Sequence, residues 1–208
     1  MSDASRFNAA YYRRYYKDRR SRVATPAELR RRAELIGAFC RHHQLKVRSI
    51  LDAGCGLGLL REPLHAQFPR ARYTGLEYSQ YLCERLGWEQ GSIADWAGQG
   101  PRGEPFDLVV CYDVMQYLAD RQARAAIANL ARLCGTVLHF NVLTRLDWEQ
   151  NCDRLNTDGA VHIRTGTWYR RELGRAFANA GSCLYLRHGT PVQLWELEGL
   201  DRPRRRVP

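Results

Sequence analysis

The stretch ILDAGCGLGLL, residues 50–60, constrains this chain more than any other. An apolar run that reads as a buried strand stops at glycines 54, 56 and 58, and a helical pattern resumes directly after them. A strand that hands over to a helix through a bare glycine turn opens a βα unit. Such a turn lets the backbone approach a ligand closely, at the carboxyl end of a strand in an open parallel sheet.

The rest of the chain repeats that alternation. Strand patterns are expected at 47–53, 72–77, 106–112 and 136–142, with a weaker one at 88–93. Helical patterns fall at 58–68, 79–87 and 120–133. Residues 168–181 read as a last helix ending at Gly181. Residues 182–188 and 192–199 read as two strands around the turn GTP, which adds an antiparallel strand to a parallel sheet. Ahead of the sheet, residues 6–20 look helical. TPAE at 25–28 signals a second helix, with Thr25 as cap, Pro26 in the first turn and Glu28 closing a capping box. Residues 143–166 form a long polar excursion with no clear element, a length of loop that is often functional. The expected organisation is a helical cap over 1–45, an α/β domain over 46–200, and a basic, disordered tail over 201–208.

A length of 208 residues with 45% apolar content suits one ordinary domain. No run approaches the ~18 apolar residues of a membrane span, and the first twenty residues lack the apolar centre of a secretory signal. Seven scattered cysteines without a C-x-x-C pair suit a reducing compartment better than disulfides or a metal centre. A cytoplasmic protein without a membrane partner is therefore expected. The formal charge of +10 is concentrated at the ends. Thirteen Lys or Arg against four Asp or Glu fall in residues 1–48, four against one in the last eight, and the body between is close to neutral. A basic end of this kind is a solvated flank or a docking surface for an anionic partner such as RNA.

Glu77 stands at the end of the second strand, where an acid can accept hydrogen bonds from both hydroxyls of a ribose. Dinucleotide sites favour G-x-G-x-x-G, whereas this chain has G-x-G-x-G and a leucine at 59. Asp52, just before the turn, would repel a diphosphate and attract an ammonium. Taken together, ILDAGCGLGLL, YTGLEYS and FDLVVCYDVMQYL resemble the class I S-adenosylmethionine-dependent methyltransferase family, over roughly residues 47–142.

The resemblance implies a Rossmann-like, doubly wound sheet of seven mostly parallel strands, with a C-terminal antiparallel hairpin strand and an N-terminal helical cap. It implies S-adenosyl-L-methionine as methyl donor and S-adenosyl-L-homocysteine as product. Gly54, Cys55, Gly56 and Gly58 would line the methionine portion, supported by Asp52. Glu77 would hold the ribose, with Tyr78 against the adenine. Ser92 and Ile93 mark the adenine end, where relatives carry an acid directly after the glycine; Asp95 lies three residues on. Cys111, Tyr112 and Asp113 leave the fourth strand where the methyl group should sit. Relatives often have a histidine pair where this chain has Gln116 and Tyr117.

Methyl transfer needs alignment of nucleophile, methyl and sulfur away from water, and in some members a base. The base candidates are Asp113 and His139, then His162. Asp113 also suits a cap of the short helix 114–118, and His139 a hydrogen-bonded core position. The excursion offers Trp148, Asn151, Asp153, Asp158, His162 and Arg164 to an acceptor. Tyr11, Tyr12, Tyr15 and Tyr16 recur at helical spacing, as a packed face, a lid over the cofactor, or a base-stacking platform among arginines. The expected activity is O- or N-methylation of a small or medium-sized metabolite. RNA or protein methylation through the basic N-terminus, a nicotinamide-dependent oxidoreductase, and a non-catalytic nucleoside-binding module are the alternatives.

Overall fold

Strands that are apolar on both faces must be covered on both faces. Residues 106–112, FDLVVCY, have this character, and they lie at the centre of the sheet. The computed structural model describes residues 6–17 and 24–199. Its seven strands are β1 (Ser49–Ala53), β2 (Arg72–Glu77), β3 (Glu89–Gln90), β4 (Phe106–Tyr112), β5 (Cys134–Asn141), β6 (Phe177–Asn179) and β7 (Leu184–Arg187), in the order β3-β2-β1-β4-β5-β7-β6. All pairings are parallel except β5–β7 and β6–β7. The order reverses between β1 and β4, so a crevice opens at the carboxyl ends of those strands, beside the glycine turn.

Alternate residues of each strand feed two cores. Leu51, Val109 and Leu138 pack with α5 (Asp120–Leu133) and α7 (Gly166–Leu173). Ile50, Leu108, Val110 and Val137 pack with Leu29, Ala33, Ile36 and Cys40 of α2 (Pro26–His42) and Leu64 of α3 (Arg61–Gln67). Helix α2 starts at the expected capping box: the Glu28 amide donates to Thr25 Oγ1 at 3.2 Å, and the Thr25 amide donates to Glu28 Oε2 at 2.6 Å. Helix α4 (Gln80–Leu86) follows β2 and ends on Gly87. Among the described residues, no helix is long and apolar enough to cross a membrane.

Three local expectations are corrected. Helix α7 stops at Leu173, and residues 177–179 form strand β6 instead of continuing the helix. The hairpin therefore consists of β6 and β7 with its turn at Gly181, Ser182 and Cys183, all at positive φ, while residues 192–199 contain no strand. The polar excursion contains α6 (Arg145–Gln150), started by a Thr144–Asp147 capping box. Near the N-terminus, α1 (Ala9–Tyr12) is a single turn that passes into a π-helical turn at Arg13–Lys17. The remainder of the expected first helix, and the basic tail, lie outside the described residues.

Trp88 packs where β1, β2 and the glycine turn meet. A Cβ on Gly75 would fall 2.6 Å from the Trp88 ring and 2.9 Å from Cys55 Sγ. A Cβ on Gly58 would fall 2.6 Å from the same ring. Gly75→Ala is therefore expected to overpack the junction, at a cost of about 1–3 kcal/mol. A double-mutant cycle of thermal melts checks this: Gly75→Ala combined with Trp88→Leu should lose clearly less than the sum of the single losses. Additive losses would show that Trp88 is not the obstacle.

Candidate functional site

The glycine turn is held by β2. The amides of Gly54 and Cys55 donate to Leu76 O at 2.7 and 3.0 Å, the Gly58 amide to Cys55 O at 2.8 Å, and the Gly56 amide to Glu77 Oε2 at 2.8 Å. These N–H groups are thus consumed inside the protein and do not form the open cradle that a diphosphate needs. Gly54, at φ +79, has a second constraint: a Cβ there would lie 2.3 Å from Val114. Gly58 serves the Trp88 contact and does not line the three cavities described below.

A cavity of about 380 Å³ lies over this turn. Gly54, Gly56, Glu77, Tyr78, Ser92, Ile93 and Asp113 line it, together with the exposed Asp95. The loop carrying Ser92 and Ile93 is fixed from α5, where Asn129 Nδ2 donates to the carbonyls of Ile93 and Trp96, each at 2.9 Å. A smaller adjoining cavity is lined by Asp52, Cys55, Tyr112 and Asp113. A third, of about 330 Å³, adjoins on the side of α6 and shares Tyr11, Tyr16, Asp113 and Tyr117 with the first.

The N-terminal tyrosines roof these spaces. The Tyr12 hydroxyl points at Glu77 Oε1 at 3.4 Å, and the Tyr11 and Tyr117 hydroxyls are 2.9 Å apart. Phe7 meets Tyr117 edge-on, with ring centres 5.3 Å apart, and its carbonyl accepts from Ser79 Oγ at 2.5 Å. Phe7 was not foreseen: one phenylalanine at an exposed-looking end gives no periodic signal.

Three carboxylates meet at the crevice, Asp52 and Glu77 buried and Asp113 half-buried. Asp52 accepts from the Tyr73 hydroxyl at 2.6 Å. Burial pushes its carboxyl up to about 6; the Tyr73 bond pulls the other way, and the charge of Glu77 adds to the rise. Glu77 also lies above the usual carboxylate range because burial outweighs its hydrogen bonds from Ser79 and Gly56. Burial raises Asp113 as well, against the opposing Arg32 charge and hydrogen bonds from Gln116 and Tyr112. Asp113 stands at φ +56, a left-handed conformation that costs a non-glycine residue about 1–3 kcal/mol and recurs at functional sites. It does not cap the following turn, whose N-terminus carries no side-chain cap.

Two expected site residues lie elsewhere. His139 is fully buried on β5: its Nε2 is 3.0 Å from Arg32 Nη1, and its Nδ1 is 3.2 Å from Cys183 O. Arg32 can only donate, so Nε2 accepts and Nδ1 carries the proton. Burial and the Arg32 charge push the ring down to about 3, and it borders none of the three cavities. Cys111 is fully buried in the core on the α5 side and also borders none.

Of the excursion's polar set, Asn151, Asp153 and Asp158 line the third cavity, whereas Trp148, His162 and Arg164 do not. Arg164 is instead a buried clamp. It donates to Asp120 at 2.8 Å and to the carbonyls of Met115 and Leu118 at 3.1 and 2.5 Å, fixing the loop after Asp113. Arg32, unforeseen because it lies off the apolar stripe of α2, stacks 4.1 Å over Tyr112. Among the described residues, no group of His, Cys, Asp and Glu is placed to hold a metal.

Comparison with known proteins agrees with this geometry. Residues 51–136 match a family model described as a methyltransferase domain. The chain is 31% identical over 120 residues to trans-aconitate 2-methyltransferase of Variovorax paradoxus (strain S110), covering 56% of this chain and 42% of that protein. It is 34% identical over 106 residues to a ubiquinone biosynthesis O-methyltransferase of Methylobacterium sp. (strain 4-46), covering 43% and 42%. It thus spans less than half the length of these curated relatives. The fold is shared with magnesium protoporphyrin IX methyltransferase from Synechocystis PCC 6803 (TM-score 0.55, 22% identity, 88% of this chain and 94% of that one). It is shared also with the N-methyltransferase NodS from Bradyrhizobium japonicum WM9 (TM-score 0.56, 20% identity, 80% and 90%).

The raised Asp52 carboxyl makes a stability prediction. An acid whose folded value exceeds its unfolded value costs stability as pH rises between the two, and the full cost is present above about 6. Asp52→Asn removes that cost while keeping an acceptor for Tyr73. Relative to wild type, the variant should therefore melt higher at pH 8 than it does at pH 5. An equal offset at both pH values would contradict the assignment.

Proposed function

We propose, from the premise that the chain belongs to the class I S-adenosylmethionine-dependent methyltransferase family, that it transfers a methyl group to oxygen or nitrogen of a small molecule. The observation that carries this reading is the charge of the crevice. Asp52 and Glu77 are buried and Asp113 half-buried around a turn whose Gly54, Cys55, Gly56 and Gly58 amides are already spent, so the site attracts a cation and repels a diphosphate. That donor set fits S-adenosyl-L-methionine, which carries an ammonium and a sulfonium, and disfavours a nicotinamide dinucleotide. The names of the curated relatives support a small acceptor.

When bound, S-adenosyl-L-methionine supplies a methyl carbon on an excellent leaving group, and S-adenosyl-L-homocysteine remains after transfer. Asp52 would balance positive charge in the methionine region beside Gly54, Cys55 and Gly56. Glu77 would accept from the ribose hydroxyls, and the 3.4 Å Tyr12 contact is the weak bond that a sugar would replace. Tyr78, Ser92 and Ile93 would flank the adenine. Tyr112 braces the adjoining cavity wall against Arg32. Asp113, at the meeting point of all three cavities, would take a proton from the acceptor on its carboxylate. The tyrosine roof would keep water out of the transfer. Residues 1–45 then act as the cap, and residues 46–200 as the methyltransferase domain.

Titration calorimetry tests the reading. S-adenosyl-L-homocysteine should bind and NAD should not. Glu77→Ala should weaken binding by about 10–100-fold, the loss expected for charge-assisted hydrogen bonds of about 1.5–3 kcal/mol. Binding of NAD with none of the homocysteine nucleoside would overturn it. With labelled methyl donor and fractionated extract, label should enter the small-molecule fraction. Label in RNA would transfer the reading to the basic N-terminus.

A further inference from the structure

We propose that the acceptor is a cationic amine, and that the cavity beside α6 is the pocket that holds it. The inference rests on the methyltransferase reading and adds the substrate class. The cavity of about 330 Å³ has the volume of a small-molecule site. It shares its Asp113–Tyr117 wall with the larger cavity, so a molecule in it would reach the donor's side of the crevice.

Among the described residues, its lining carries four carboxylates, Asp113, Asp147, Asp153 and Asp158, and no Lys, Arg or His. Among the described residues, the nearby positive charges stand behind its walls: Arg6 pairs with Asp158 and lies over the Tyr117 ring, Arg14 stacks on Tyr15, and Arg32 faces Asp113 from the Tyr112 side. Asp147 and Asp153 spend their hydrogen bonds on neutral groups, Thr144 and Asn151 for the first, Leu155 and Asn156 for the second. Net negative charge therefore remains on the walls.

Two further features point to an N–H donor. Tyr11, Tyr15, Tyr16 and Tyr117 supply ring faces and edges, the surroundings that favour an ammonium. Gln116 lines the same cavity, is only 4% exposed, and its Oε1 has no hydrogen-bond partner. A buried acceptor without a donor is destabilising, and an amine N–H that reached it would supply the missing bond. A carboxylate or phosphate acceptor would be repelled by the four carboxylates of these walls.

The chemistry balances. A bound R–NH₃⁺ passes one proton to the Asp113 carboxylate, leaving R–NH₂ and a neutral acid. The nitrogen lone pair then forms the N–C bond as the methyl carbon–sulfur bond breaks, its electron pair remaining on sulfur. The products are R–NH₂⁺–CH₃ and a neutral thioether. Asp113 releases its proton to solvent when they leave. Burial holds the Asp113 carboxyl above the usual range, which suits it to accept that proton.

The test uses the full chain loaded with S-adenosyl-L-homocysteine and matched probes: 2-phenylethylamine against 2-phenylethanol and 3-phenylpropanoate, and glucosamine against glucose. In at least one set, calorimetry should show the amine binding at least tenfold more tightly than its uncharged or anionic partner. With labelled methyl donor, that amine should gain an N-methyl group. Asp113→Asn keeps a residue that tolerates positive φ, and Asp153→Asn changes an exposed loop acid. Each should shrink the amine preference several-fold; Asp113→Asn should also slow methyl transfer, while Asp153→Asn should leave thermal melting and nucleoside binding unchanged. Equal or tighter binding of the alcohol or the carboxylate overturns the inference, as does failure of every amine to bind protein that holds the nucleoside. Failure of the nucleoside itself to bind sinks the methyltransferase reading instead.

Discussion

One carboxylate holds the crevice together. Glu77 accepts from the Gly56 amide through one oxygen and from the Ser79 amide through the other, both at 2.8 Å. It thereby joins the turn after β1 to the start of α4 and sets the distance between two strand ends. It is buried and acidic, and burial opposes its charge. A fold that keeps such a group at the end of β2 accepts a local cost, which is the ordinary condition of a site built for a ligand.

The same tension recurs around it. Asp52 is almost fully buried with a single hydroxyl partner, and Asp113 is strained at positive φ. Their supports are structural and lie off the cavity walls. Arg164 ties the 115–118 loop to the start of α5 through two carbonyls and Asp120. Arg32 spans His139 and the Tyr112 ring. Two arginines that a charge count assigns to the surface thus hold the elements from which the acidic crevice is made.

The sheet was legible because βα alternation and a two-faced apolar strand leave few topologies open. The glycine turn and Glu77 were legible because spacing along one βα unit fixes their place. The errors have physical reasons. Residues 174–180 kept helical spacing, but the chain turns at Gly174 and residues 177–179 pair with β7, so long-range hydrogen bonding overrode the local pattern. Helix α6 is six residues long, too short for periodicity; its Thr144–Asp147 box was the readable signal. Gly58 and Gly75 answer to Trp88, a contact between separate elements that no local window contains. His139 follows from β5 register: it pairs with Val110 and shares the α2 face with Val137, away from the crevice.

On the proposed reading, the crevice over the first strand–helix turn is a nucleoside site gripped through Glu77. A crystal of the full chain soaked with S-adenosyl-L-homocysteine tests it most directly. Density should run from the Gly54–Gly56 turn to Ser92 and Ile93, with both ribose hydroxyls on the Glu77 carboxylate and the Tyr12 hydroxyl displaced from it. An unchanged Tyr12–Glu77 contact, with the nucleoside absent or bound on another face, would contradict it.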